Sequence, residues 1–256
     1  MEQLQAQLPL FLLVTSRVAG VTASSPVFAN RFLTIPVRVF LTFLLALLIL
    51  PAARAEPGIT GGLGFAATCL TELLVGLLIG FLGQLVFAVL QMAGAILDLD
   101  MGLAMAEIVD PVHSQYEALL GSFFHTLGLV IYFTVDAHHW LLRAIAGSYA
   151  ALPAGAWAAD APAFRYVVEL FGALLAAAVQ MVLPFVAVML LTTAVLGAVN
   201  RAVQQFQLFQ ITLGVKAAVG LVMLAVVLPY LLDFVVPLFE SGHRELLKTL
   251  QWMQAP

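Results

Sequence analysis

Between residues 98 and 111 the chain reads DLDMGLAMAEIVDP, and this stretch gathers Asp98, Asp100, Glu107 and Asp110, four of the 14 acidic residues of the protein. Carboxylates at such density can couple ions, cap helices, or hold a segment at a water boundary. Met101 and Met105 lie among them, with Gly102 between. Thioether side chains are flexible and apolar, which suits a deformable seal. Met101 and Met105 share one face if the piece is helical, and Gly102 loosens the backbone there. Two readings stand at this point. One is a solvated turn between helices, with Asp100 and Asp110 as caps; the other is a constriction element inside a conduit.

Other reactive groups are sparse. His138 and His139 are adjacent, so on a helix they point about 100° apart and are poorly placed to share one metal. The sequence implies no metal and no cofactor. It contains no phosphate-binding Gly-Lys-Ser/Thr loop, no dinucleotide fingerprint, no H-E-x-x-H and no G-x-S-x-G. The single cysteine, Cys69, lies in an apolar run and reads as small apolar filler. The lysines and arginines are scattered rather than clustered, which speaks against nucleic acid as a partner.

The elements that position these groups are greasy. The hydrophobic fraction is 63% and charged residues make up 9%, against about a quarter charged in a soluble domain. That composition, with apolar runs of bilayer length, places the chain in the membrane class. The first 20 residues lack the basic region of a cleaved signal peptide, and Arg17 interrupts their apolar run, so they read as part of the mature protein. Apolar segments are expected at about 8–21 and 37–50. A longer one, 61–97, exceeds one straight span and carries Glu72, Gly76, Gly80 and Gly94. A carboxylate inside such a run is expensive unless paired or neutralised. Gly76 and Gly80 form a G-x-x-x-G spacing, which lets helix backbones approach closely.

After the acidic window, Asp110-Pro111 reads as an N-cap and first-turn proline. The helix that follows runs through 119–133 and is broken by DAHHW at 136–140. A shorter apolar piece ends at Leu152-Pro153. The region 164–197 contains Pro184, which is expected to kink or divide its helix. Residues 211–236 close the membrane part, interrupted by Lys216 and Pro229, and the tail from Ser241 suits a short amphipathic helix at an interface.

Taken in order, these residues resemble a known family. The points of likeness are Arg17, Ser25-Pro26 and Ile35-Pro36-Val37-Arg38; then Glu72, Gly76 and Ile79-Gly80-Phe81; then Ala93-Gly94, Asp98, Met101-Gly102 and Asp110-Pro111. Further on come His138-His139, Ser148, Leu152-Pro153-Ala154-Gly155, Leu183-Pro184, Gly197, Arg201, Gly214-Val215-Lys216 and Gly220. The pattern resembles the FliR/SctT family of type III secretion export-gate membrane proteins, most of all its flagellar branch, over almost the whole chain. At 202–207 the chain departs from the family's Pro-Gln-rich element and reads AVQQFQ.

The resemblance implies an all-α, polytopic membrane protein whose helical hairpins pack in a helical export-gate assembly with FliP-like and FliQ-like subunits, joined by an FlhB-like subunit. It implies a FliP-like part at about 1–163 and a FliQ-like part at about 164–256. Residues 98–116 become the plug candidate, closing the passage that unfolded export substrates take through the bacterial inner membrane. Energy is supplied elsewhere, so no catalysis is expected of this chain. Arg17, Pro36, Arg38, Glu72, Gly76, Gly80, Gly94, Pro184, Arg201 and Lys216 are the assembly and packing candidates. Of these, Arg17, Glu72, Arg201 and Lys216 are expected to face protein neighbours or water. Three alternatives carry different expectations. An injectisome homologue would serve effector secretion. A small-solute transporter would use Glu72 or Asp98 as its coupling carboxylate, and a membrane enzyme would use His138 or His139 with a carboxylate.

Overall fold

The computed structural model describes residues 2–29, 33–53, 62–104, 118–156, 161–202 and 208–252. Among them the chain is helical, and no strand occurs. The helices are α1 (Glu2–Ser24), α2 (Ile35–Ile49), α3 (Gly62–Met101), α4 (Leu119–Thr134), α5 (Ala137–Ala151), α6 (Ala161–Ala202) and α7 (Leu208–Trp252). A single 3-10 turn, Leu50–Ala52, closes α2 where Pro51 removes a backbone donor. Pro36 stands in the first turn of α2, where its missing N–H costs nothing.

Among the described residues, four helices are long and apolar enough to cross a membrane, and α4 with α5 adds a bent pair with a 73° corner. This is the polytopic all-α membrane architecture. The 40 residues of α3 measure about 60 Å at 1.5 Å per residue, twice a hydrocarbon core of about 30 Å. A rod of that length cannot lie in lipid throughout unless it is steeply tilted.

Pro184 does not divide its helix: α6 runs unbroken for 42 residues. The proline occupies an exposed position, and membrane helices tolerate the lost hydrogen bond to the residue one turn earlier. The tail is likewise no separate element, because α7 continues to Trp252 past Pro229 and Pro237.

Two compact units interleave in sequence. One comprises 1–86, 132–171 and 239–256; the other comprises 87–131 and 172–238. In the first, α1 and α2 are tied by Phe11 edge-on to Phe43 at 5.0 Å and by a 2.8 Å hydrogen bond between the Thr22 and Thr42 hydroxyls. In the same unit α1 lies directly on α3. A Cβ at Gly76 would collide with the Arg17 backbone, one at Gly80 with Ser24 Oγ, and one at Gly20 with the Leu73 carbonyl oxygen. The G-x-x-x-G pair is therefore the bed on which α1 rests, and Ser24 Oγ donates across the seam to the Leu77 carbonyl at 3.0 Å. In the second unit the same device joins α3 to α4, with Gly94 against the backbone of Leu120 and Gly121.

Candidate functional site

The first unit contains a buried polar centre. Arg17 enters from α1 and Glu72 from α3, both with side chains 0% exposed. Arg17 Nε donates to Glu72 Oε2 at 2.6 Å and Nη2 to Oε1 at 3.1 Å, a bidentate fork. Arg17 Nη1 donates to Ser148 Oγ on α5 at 2.9 Å, and Nη2 also donates to the Leu152 carbonyl at 3.0 Å. The guanidinium carbon stands 4.0 Å from the centroid of the Tyr149 ring, within the range of a cation–π contact.

The loop after α5 is shaped to complete this centre. Ala156 N donates to the Pro153 carbonyl at 3.1 Å, closing a turn with Gly155 third at φ 89°. A type II turn demands positive φ at that position, which glycine supplies without steric cost. The turn brings the Leu152 carbonyl to Arg17 and the Gly155 N–H to Glu72 Oε1 at 2.9 Å. The carboxylate and the guanidinium thus bond to each other and to two further chain segments, α5 and the turn after it. Such a pair is a structural clamp joining α1, α3, α5 and the turn. Three hydrogen bonds, one to Oε2 and two to Oε1, occupy most of the roughly four lone-pair sites of the Glu72 carboxylate.

Arg17 and Glu72 were expected to meet protein neighbours or water; instead they satisfy each other inside the chain. Ser148, Tyr149 and the 152–155 turn were not expected as their partners. A signal was present in the Pro-Ala-Gly triplet, which marks a turn, but nothing in the spacing linked it to Arg17, 135 residues earlier.

The acidic window lies in the second unit, at the end of α3. Asp98 is 3% exposed, and its Oδ2 accepts from the Leu120 N–H at 3.0 Å. That N–H belongs to the first turn of α4, where backbone donors lack helical partners and negative charge is favoured. Asp98 therefore caps a helix other than its own. Gly102 N donates to the Leu99 carbonyl at 3.1 Å and Leu103 N to the Asp98 carbonyl at 3.0 Å, with Gly102 at φ 75°. These are the two bonds of a Schellman cap, and Gly102 is the left-handed residue it requires.

Met101, fully buried, lies over Gly220 of α7, where an added Cβ would stand 2.5 to 2.6 Å from its Cγ, Cε and Sδ. A Cβ at Gly102 would stand 2.6 Å from Leu213 Cδ2, one heptad earlier on α7. The end of α3 is thus seated on one face of α7. Asp100 is half-buried. Because α3 stops at Met101, the shared helical face expected for Met101 and Met105 is not continued by this helix. Met105, Glu107, Asp110 and Pro111, with the cap expected at Asp110, fall outside the described residues.

The remaining candidates are peripheral to both centres. Arg38 is half-buried on α2 and its Nε has no hydrogen-bond partner among the described residues. Arg201 is exposed in the last turn of α6 and Lys216 half-buried on α7; neither has an ion-pair partner among the described residues. His138 and His139 behave differently from the expectation. Their rings stand 4.1 Å apart in the first turn of α5, where no preceding helical turn restricts their rotamers.

The sequence matches the family described as bacterial export proteins, family 1, over residues 8–242. Curated relatives named flagellar biosynthetic protein FliR align along most of their length. The protein of Bacillus subtilis (strain 168) is 31% identical over 221 residues, 85% of either chain. That of Pectobacterium carotovorum subsp. carotovorum is 26% identical, over 88% of this chain and 86% of the relative. That of Escherichia coli (strain K12) is 25% identical, over 94% and 92%. With the likeness running from α1 to α7 and including both centres, the chain belongs to the family of bacterial export proteins, family 1.

Proposed function

We propose that the chain is a non-enzymatic subunit of the type III protein-export channel in the bacterial inner membrane, serving flagellar assembly and helping to form and gate the entry for unfolded substrates. The observation that carries this reading is the family match across 8–242, together with relatives named for flagellar biosynthesis. FliP-like, FliQ-like and FlhB-like subunits are its partners. Support comes from apolar surface that the chain leaves uncovered: in the membrane windows of α2 and α7 only 22% and 17% of residues are buried. Two long apolar helices in succession, α6 and α7, suit a FliQ-like part after residue 163.

In this reading, 98–116 is the plug, and its first residues, 98–102, are the part seated at the end of α3. The Schellman cap stops the helix at Gly102, and Met101 on Gly220 anchors it. Arg17 and Glu72 hold the scaffold, and no group with free catalytic chemistry is needed.

Removing the chain from its host tests the reading. The expected result is loss of secreted filament subunits and of motility, both restored by the intact gene. Unchanged secretion would contradict the export role. Purification in mild detergent followed by native mass measurement tests the partners. A complex with several small helical membrane proteins is expected, and a monodisperse monomer is the contrary result.

A further inference from the structure

At the corner between α4 and α5 three ligating side chains converge. Asp136 Oδ1 stands 3.5 Å from His139 Nδ1 and 3.9 Å from His138 Nε2, and the three donor atoms lie within 4.8 Å of one another. Donors bound to one ion at about 2.0–2.2 Å are spaced roughly 3.0–3.5 Å apart in octahedral or tetrahedral arrangements. The observed spacings therefore need only small side-chain movements to close on a single ion.

The backbone is consistent with this use. Asp136 is the N-cap residue of α5, yet it makes no side-chain capping bond. An aspartate at that position ordinarily spends its carboxylate on the N–H groups of the first turn. Here Asp136 takes the left-handed conformation, φ 56° and ψ 27°, and its carboxylate turns toward the two imidazoles. Among the described non-glycine residues it is the one with positive φ. The ring of His138 packs against Phe133, with centroids 5.3 Å apart. Asp136 and His139 are exposed, so an ion has access. The first-turn dipole disfavours a cation, and the Asp136 charge offsets it.

We propose that Asp136, His138 and His139 form a binding site for a first-row divalent transition ion, with zinc the fitting member, that ties the residue at the break, Asp136, to the first turn of α5. Two imidazoles and one carboxylate suit zinc, nickel or copper rather than magnesium or calcium. The ion leaves open positions for water, and it holds the N-cap residue of α5 to two side chains of its first turn.

The test uses the full-length chain, purified on a histidine-free tag in mild detergent and stripped with chelator. Zinc chloride is titrated calorimetrically, and nickel chloride is titrated against tryptophan fluorescence, since Trp140 directly follows the pair. One zinc per chain is expected. Replacement His139→Gln or Asp136→Asn should each weaken binding by about tenfold or more, with His125→Gln binding as the parent does. His139 is 56% exposed, so its replacement leaves folding intact, and circular dichroism checks this. Parental affinity in both His139→Gln and Asp136→Asn, absence of zinc binding, or loss of binding only in His125→Gln would overturn the proposal.

Discussion

Arg17 and Glu72, 55 residues apart in sequence, close a bidentate ion pair at 2.6 and 3.1 Å with neither side chain reaching solvent. A buried pair of this kind contributes little net stability compared with an apolar replacement, yet breaking it is costly, because one charge is left alone in the interior. The hydrogen bonds that Arg17 donates to Ser148 Oγ and the Leu152 carbonyl, and that Glu72 accepts from the Gly155 N–H, make the loss of either member still more disruptive.

Arg17→Met and Glu72→Leu should each lower stability by about 3–5 kcal/mol. The double variant Arg17→Met/Glu72→Leu should lose less than the two singles added together. Thermal melts in detergent, arranged as a double-mutant cycle, read the coupling. Additive losses would show that the pair is not the clamp described.

Gly76→Ala and Gly80→Ala should each destabilise by about 1–3 kcal/mol through overpacking of α1 on α3. Gly147→Ala is the matched control: a Cβ there meets nothing within 4 Å, and replacing a helical glycine is stabilising by about 0.5–1 kcal/mol. The same melts check both directions.

The seat of the acidic window gives a third expectation. Gly102→Ala forces a side chain into the left-handed region, at about 1–2 kcal/mol, and presses on Leu213. Gly220→Val should displace Met101. Both variants should still assemble but should loosen the end of α3, read as faster hydrogen exchange at residues 97–103 than in the parent.

Arg201 and Lys216 make no ion pair among the described residues, so their charges are available to neighbouring subunits. Arg201→Glu and Lys216→Glu should each reduce the yield of assembled complex severalfold while leaving the chain itself in the membrane. Quantitative co-purification measures this, and parental yield in both would show the charges to be incidental.

Local signals carried much of this far. The greasy composition and long apolar runs announce the membrane helices, and the glycine spacing at 76 and 80 announces a close helix contact. Asp136 to Trp140 announces a break, observed as the 73° corner. What the sequence hides is long-range or context-dependent. Glu72 looks like an unpaid charge until α1 brings Arg17 to it. Pro184 looks like a break until the exposed helix around it absorbs one missing hydrogen bond. The two histidines look divergent because backbone direction alone does not fix their rotamers, which bring the rings to 4.1 Å from each other.

Ion conductance of the assembled complex in planar bilayers tests the gate most directly. Complexes carrying the parent chain should be tight at rest. Complexes with residues 101–107 shortened, or with Met101→Gly and Met105→Gly, should conduct ions and small solutes continuously. Equal, low conductance in fully assembled parent and variant complexes would contradict a plug in this segment.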